Sequence, residues 1–265
     1  MNYNCLIFEQ KDEIAVITLN RPKTLNALNA ELRNEFLSAI QGVEENDKLR
    51  VLVITGAGRG FSSGADLSGP RPTGHELSSQ NVRLDELSWM GRQALAVSGL
   101  NKPTIAAMNG VAAGAGMSLA LACDLRVGSE KSRFKTVFLE RSLSTDAGMS
   151  FFLPRIVGYS RAADLIFTSR NVDAEEAYRI GLLDRLFPHE QLMDKAVKLA
   201  KEMAFWPPMA LRSSKRVLQH NIEVGLEEAL RYETAGLTFA RRAPEDLKES
   251  ILSFQEKRQP IFTGK

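Results

Sequence analysis

Apolar and polar residues alternate or cluster in Cys5–Glu9 and again in Ile14–Leu19, on either side of the turn-forming Lys11-Asp12-Glu13. That pattern predicts two strands joined as a hairpin. Asn20-Arg21-Pro22 ends the second strand. The period then lengthens: Leu32, Phe36, Leu37, Ile40 and Val43 recur at helical spacing behind Asn29, a residue suited to cap a helix start. Val51–Thr55 is a short continuous apolar run, as a strand buried on both faces would show. A Gly-rich loop follows from Gly56 to Leu67, and Ser68–Asn81, rich in Gly, Pro and Ser, reads as a surface segment. Arg83–Leu100 fits a helix, while Thr104–Met108 and Leu125–Val127 fit strands.

Between those last strands lies Asn109–Cys123, NGVAAGAGMSLALAC. Its first half is small and Gly-rich and reads as exposed backbone prepared for a ligand. Its second half, from Gly116, reads as the start of a buried helix. Strands and helices alternate this far, which argues for an α/β unit with crossover connections. Beyond about residue 160 the pattern turns helical: Ser160–Phe167, Asp173–Ile180, Leu192–Ala204, Met209–His220, Leu226–Arg242, and a last helix from Pro244 through Lys257. Asp173 with Glu176 makes a capping-box-like start, and Gly181 a stop.

Composition adds bounds rather than identity. The 265 residues are 44% hydrophobic and 25% charged, an ordinary globular balance, and the net charge of +2 points to no polyanionic partner. Cys5 and Cys123 both sit in apolar runs, and His75, His189 and His220 have no metal-ligand spacing, so neither a disulfide framework nor a metal site is expected. Thr104–Cys123 holds 20 residues without a charge, but Ala and Gly dominate it and Asn109 sits inside, so a buried strand–loop–helix is favoured over a membrane span. MNYNCLIFEQKDE lacks the features of a signal peptide, and a cytoplasmic location is expected.

Three chemistries compete for the Gly-rich loops. Gly56–Gly60 is GxGxG after a strand, but no helix follows as a dinucleotide fingerprint requires. Gly60–Gly64 matches GxSxG, which would make Ser62 a hydrolase nucleophile, yet the strand ends too early and Gly69-Pro70-Arg71-Pro72 would stop the helix. The third reading joins Gly64-Ala65-Asp66 with Gly114-Ala115-Gly116. Two converging backbone N–H groups would stabilise charge developing on a carbonyl oxygen, where each donor is worth about 3 kcal/mol. A helix starting near Gly116 would add its positive end.

Four segments, Asn20–Leu28 (NRPKTLNAL), Phe61–Leu67 (FSSGADL), Asn109–Asp124 (NGVAAGAGMSLALACD) and Phe254–Arg258 (FQEKR), resemble the crotonase, or enoyl-CoA hydratase/isomerase, superfamily, in family order and across nearly the whole chain. The resemblance implies an α/β fold: a spiral of ββα units over residues 1–200, with a C-terminal helical trimerisation region over 201–265. It implies assembly as a homo-trimer or a dimer of trimers; no nucleic-acid or membrane partner is expected for this chain. It implies an acyl-CoA substrate whose thioester oxygen lies between the amides of Ala65 and Ala115. Coenzyme A then enters with the substrate, and no resident cofactor or metal is needed. Around it, Arg21, Lys23, Leu25, Asp66 and Leu67 would contact coenzyme A, joined by Phe254 and Lys257 from the helical tail of the same or a neighbouring subunit.

The proton-moving group must be read residue by residue. Hydratases of this family use two glutamates; the corresponding positions here are Ser118 and, by ungapped count, Phe138. Water addition needs both groups, so isomerisation is favoured. Leu143–Gly148 followed by Leu153-Pro154-Arg155 resembles the segment carrying the catalytic aspartate in phenylacetate-pathway ring-oxepin isomerases and related enoyl-CoA isomerases, which makes Asp146 the expected base. Phe138, Phe151 and Phe152 are expected to desolvate it and raise its pKa. Glu140 is either a second acid, serving a hydratase alternative, or half of an ion pair with Arg141, which is favoured. Ser68 stands where many members carry a CoA-contacting lysine. Some relatives bind RNA through a basic early helix; the corresponding helix here, Glu31 to Glu45, is acidic. Ser68–Asn81 and Leu84–Met90 are expected to line the acyl pocket.

Overall fold

The computed structural model describes residues 3–68 and 79–265. Most of the Ser68–Asn81 segment, together with His75, lies outside them. The chain opens with β1 (Leu6–Lys11) and β2 (Ile14–Leu19), an antiparallel pair turned at Asp12. α1 (Ala30–Glu45) begins where the Asn29 side chain accepts the Leu32 N–H at 2.9 Å. Leu32, Phe36, Ile40 and Val43 are buried as the spacing predicts, with Ala39 completing the face in place of half-buried Leu37.

Three ββα turns then build two sheets at once. β3 (Val51–Gly56) enters the large sheet and β4 (Gly60–Ser62) the small one, followed by α2 (Gln80–Arg83) and α3 (Ser88–Ser98). β5 (Thr104–Met108) and β6 (Val111–Ala113) repeat the step, with α4 (Ala115–Leu121) as their helix. β7 (Leu125–Ser129) and β8 (Arg133–Lys135) repeat it again, followed by α5 (Met149–Val157) and α6 (Tyr159–Thr168). β9 (Val172–Asp173), α7 (Ala174–Arg179) and β10 (Arg185–Phe187) close the unit. The large sheet has the order β1-β2-β3-β5-β7-β10, parallel from β2 onward, and the small one β4-β6-β8-β9. This is the expected α/β architecture.

Five short strands, β4, β6, β8, β9 and β10, are not evident in the sequence because two or three residues are too few to show a period. The single helix expected over Arg83–Leu100 is broken. Asp85 accepts the Ser88 N–H at 3.0 Å and the Arg92 guanidinium at 2.9 Å, and Ser88 adopts φ 51°, so a new helix starts there. α5 was also unforeseen, since Pro154 lies inside it.

One face of the large sheet packs on the small sheet, α1 and α3 to α6. The other packs on α8 (Leu192–Ala204), whose Leu192, Ala196, Leu199, Ala200 and Ala204 meet Val16, Val53, Ile105 and Val127. The expected division at 200/201 therefore falls inside α8, which stays on the sheet through Ala204. α9 (Pro208–Asn221), α10 (Leu226–Ala240) and α11 (Pro244–Glu256) follow. α9 is fastened to the core by buried Lys215, whose ammonium meets Asp124 Oδ2 at 2.8 Å and the Lys102 carbonyl at 3.0 Å. Among the described residues no helix is long and apolar enough to cross a membrane, and no cluster of His, Cys, Asp and Glu could hold a metal ion.

Candidate active site

The small sheet delivers both Gly-rich segments to one place. After β4, Leu28 runs beside Ala65 as a one-residue parallel bridge: the Leu28 N–H donates to Gly64 O at 2.8 Å and the Asp66 N–H to Leu28 O at 3.4 Å. In that geometry the N–H of Ala65 points away from Leu28. It donates to no group among the described residues. The turn before Leu28 is tied to the first loop by fully buried Asn26 at φ 56°, whose side chain accepts the Arg21 N–H and donates to the carbonyls of Ala57 and Gly60 at 3.0 and 2.8 Å. The sequence reading passed over Asn26; its signal was the tolerance of Asn for left-handed backbone.

Ser62 is fully buried, donates to Asn26 O at 2.9 Å and accepts the Gly64 N–H at 3.3 Å. An exposed hydrolase nucleophile is thereby ruled out. The loop after β3 runs into a strand, not a helix, which removes the dinucleotide reading.

The second segment is less open than its composition suggests. Val111–Ala113 is β6, and Gly110 is buried because a Cβ there would lie 2.1 Å from Arg59 O. Gly114 turns the chain at φ 49°, and α4 starts at Ala115. The first N–H groups of a helix have no acceptor within it, and the Ala115 N–H has none elsewhere among the described residues. The two loops interlock through glycine. A Cβ at Gly64 would sit 2.6 Å from Ala113 O and 3.3 Å from the Ala115 nitrogen, and one at Gly116 would sit 2.3 Å from Ser62 O. Ala65 and Ala115, each with a free N–H, are thus brought side by side.

Asp146 reaches the same helix. The Ser118 hydroxyl, one turn beyond Ala115, donates to the Asp146 carbonyl at 3.3 Å, and the Met149 N–H donates to it at 2.9 Å. The carboxylate is half-buried, and its Oδ1 is enclosed without a hydrogen-bond partner among the described residues. Burial pushes its pKa above the ordinary aspartate value. Of the three expected aromatic neighbours, Phe138 is buried and Phe152 lies where a Cβ on Gly148 would be 2.5 Å from its ring. Phe151 is 42% exposed under the Arg155 guanidinium, 3.5 Å from its ring centre, so it faces outward.

The other carboxylates are occupied. Asp66 accepts from Arg21 at 2.7 Å and from the Ser68 N–H and hydroxyl at 2.9 and 2.6 Å. These bonds, those of Ser68 first, hold its pKa at about 2. Glu140 pairs with Lys135 at 2.6 Å and Ser169 at 3.1 Å, not with Arg141 as expected, and these contacts lower its pKa. Glu140 and Arg141 are successive residues of one 3₁₀ turn (Leu139–Arg141), whereas Lys135, at the end of β8, comes within reach of the carboxylate.

The cations expected on coenzyme A divide likewise. Arg21 is spent on Asp66 and the Ala27 carbonyl, the latter at 2.5 Å, so it braces the first loop and is not a free cation. Lys23 is exposed in the 3₁₀ turn Pro22–Thr24, beside Leu25 at φ 52°. Leu67 is 53% exposed. On α11, Phe254 is 85% exposed and the exposed Lys257 caps the helix in left-handed conformation.

The chain's sequence matches the model of the enoyl-CoA hydratase/isomerase family over residues 9–265. It is 37% identical over 262 residues to a Mycobacterium bovis protein named probable enoyl-CoA hydratase, covering 97% of this chain and 92% of that one. The crystal structure of an enoyl-CoA hydratase from Bacillus anthracis superposes with a TM-score of 0.91 at 31% identity, covering 99% and 100% of the two chains. A monofunctional enoyl-CoA isomerase from M. smegmatis superposes with a TM-score of 0.73 at 31% identity, covering 85% and 98%. Relatives named as hydratases predominate. Family, fold and the meeting of the two Gly-rich loops agree, and the chain belongs to the enoyl-CoA hydratase/isomerase family, within the crotonase superfamily.

Proposed function

We propose that this enzyme is an enoyl-CoA isomerase: it takes an acyl-CoA, forms the thioester enolate, and shifts a double bond by moving one proton. The N–H groups of Ala65 and Ala115 receive the thioester oxygen, and Asp146 removes a proton from one carbon and returns it to another. The observation that carries this reading is the enclosed, unbonded Oδ1 of Asp146. A carboxylate without partners in a desolvated place is a stronger base than one in water. Its backbone is pinned to α4 through Ser118, which stands where a hydratase would carry a glutamate. Asp66 and Glu140 are held ionised by cations and hydroxyls and are poor proton acceptors. The second hydratase position is the buried Phe138.

The likeness of the Asp146 segment to ring-oxepin isomerases extends the proposal to ring-derived acyl groups. It also includes assembly as a trimer or dimer of trimers, since α10 and α11 leave Leu230, Leu237, Leu247, Ile251 and Phe254 exposed. The predominance of relatives named as hydratases favours the second reading, water addition to 2-enoyl-CoA. Parallel assays of 3-enoyl-CoA, a cyclic unsaturated acyl-CoA and 2-enoyl-CoA, with Asp146→Asn alongside, decide between them. Isomerisation by the wild type and its collapse in the variant are expected. Rapid hydration of 2-enoyl-CoA that survives Asp146→Asn overturns the proposal.

A further inference from the structure

Val137, just after β8, holds a backbone conformation that valine avoids. Its φ is 55°, and among the described residues it is the one β-branched residue with a left-handed φ. The Phe138 N–H donates across it to Thr136 O at 2.9 Å. A bond two residues apart over a positive φ makes the form of γ-turn that is rare and strained. For a β-branched side chain this region is an outlier, whereas glycine would occupy it without that cost. Thr136 Oγ1 donates to Leu165 O at 3.0 Å and ties the turn to α6. Lys135 and Glu140 close its two ends with their 2.6 Å ion pair, and the Ser169 hydroxyl, at the end of α6, donates to the same Glu140 oxygen at 3.1 Å. Backbone strain persists only where neighbours over-determine it, and it collects at functional sites.

What the turn presses on is the entry to α4. Gly114 stands directly before that helix at φ 49° and ψ −125°, and its N–H donates to Lys135 O at 3.0 Å. A Cβ on Gly114 would lie 3.0 Å from Val137 Cγ2 and 3.8 Å from Thr136 O. The half-buried Val137 thus sets a methyl against the space that a side chain at Gly114 would take. The Gly114 carbonyl accepts the Ser118 N–H at 2.9 Å. That carbonyl and the Ala115 N–H belong to one planar peptide, so whatever holds Gly114 sets where the Ala115 N–H points. The helix holds this peptide at its carbonyl, and Val137 holds Gly114 from the opposite side.

We propose that Val137 is a positioning residue: its strained turn seats a methyl against Gly114 and so fixes the direction of the Ala115 N–H. This role rests on the reading of Ala115 as a receiver of the thioester oxygen, but not on whether the enzyme isomerises or hydrates. A donor of that kind acts through its aim at charge that develops during reaction, more than through binding of the substrate as a whole.

Variants of the full chain test the role. Val137→Gly removes the methyl and the strain together, so its melting temperature should not fall. Its kcat, in whichever of the two reactions the enzyme performs, should drop by about ten- to a hundredfold while KM moves little. Val137→Thr keeps both branches at Cβ and should retain most of the wild-type kcat. Infrared difference spectra with butanoyl-CoA carrying an isotope-labelled carbonyl carbon read the donors directly, because the saturated thioester binds without turnover. Wild type and Val137→Thr should pull the bound carbonyl stretch below its position in water, and Val137→Gly should lose part of that shift. A shift and a kcat that Val137→Gly leaves whole overturn the role of Val137 alone. So does a fall in melting temperature that accounts for the lost kcat, since Val137 is then an ordinary packing residue. An unshifted carbonyl in wild type overturns the reading of Ala65 and Ala115, and the role of Val137 with it.

Discussion

Two loops of this enzyme each carry an aspartate, and the two carboxylates have opposite fates. Asp66 is clasped by Arg21 and Ser68 and held at a pKa of about 2. Asp146 has an enclosed oxygen with no partner among the described residues and a pKa displaced upward by burial. The residue type is the same and both loops adjoin α4's surroundings. What differs is whether the fold supplies a cation and donors. Where it does, the carboxylate is a brace that fixes the backbone around Ala65. Where it withholds them, the carboxylate keeps its affinity for a proton.

The sharpest way to break this contrast is to remove the free carboxylate. Asp146→Asn keeps the shape and removes the proposed base, and kcat for the proposed double-bond migration should fall by about 10²–10⁴. Full activity of the variant would place the base elsewhere. Next comes the geometry both loops share. Gly116→Ala drives a methyl against the Ser62 carbonyl and should cost about 1–3 kcal/mol in denaturant unfolding. Its kcat should fall further than stability alone explains, because the Ala115 N–H moves with the helix start.

Asp66→Asn tests the brace. Losing the ion pair while leaving Arg21 partly buried should cost about 1–2 kcal/mol of stability, with a smaller effect on kcat than Asp146→Asn. The reverse order of kcat effects would exchange the two roles. The pH dependence separates them with opposite signs. Asp66, depressed in the folded state, contributes stability that is present above the unfolded aspartate pKa and is lost as pH falls toward 2. Asp146, raised in the folded state, favours folding while protonated, and that contribution disappears as pH rises through its folded pKa. Asp146→Asn should therefore melt roughly a degree or two higher than wild type at pH 7 to 8. The gap should vanish below the ordinary carboxylate range; a gap independent of pH would show that Asp146 is not strained by ionisation.

Much of this was readable in the chain. The spacing of Leu32, Phe36, Ile40 and Val43 and the cap at Asn29 located α1, because a helix advertises its buried face at a regular interval. The continuous run Val51–Thr55 located β3 for the corresponding reason in strands. The pairing of the two Gly-rich loops was expected, as backbone bared for a ligand; that Gly64 and Gly116 are needed for the loops to pack on each other was not. Other features did not. Three-residue strands show no period, and the break before Ser88 depends on Asp85 bonding forward rather than on any helix-breaking residue. Glu140 was assigned to its neighbour Arg141, when its partner Lys135 is brought up by a strand end. Arg21 was counted among free cations, when Asp66, far along the sequence, had claimed it.

The sequence by itself determined the longer strands and helices in their order and the placement of small residues in the two loops. These are local facts, written in residue type and spacing. Only the tertiary structure decided which carboxylate lacks a partner among the described residues, which cation is spent, and that Lys215 anchors α9 to the core. Those outcomes depend on distance and burial among residues far apart in the chain, and a charge's proton affinity is set by what surrounds it rather than by what precedes it.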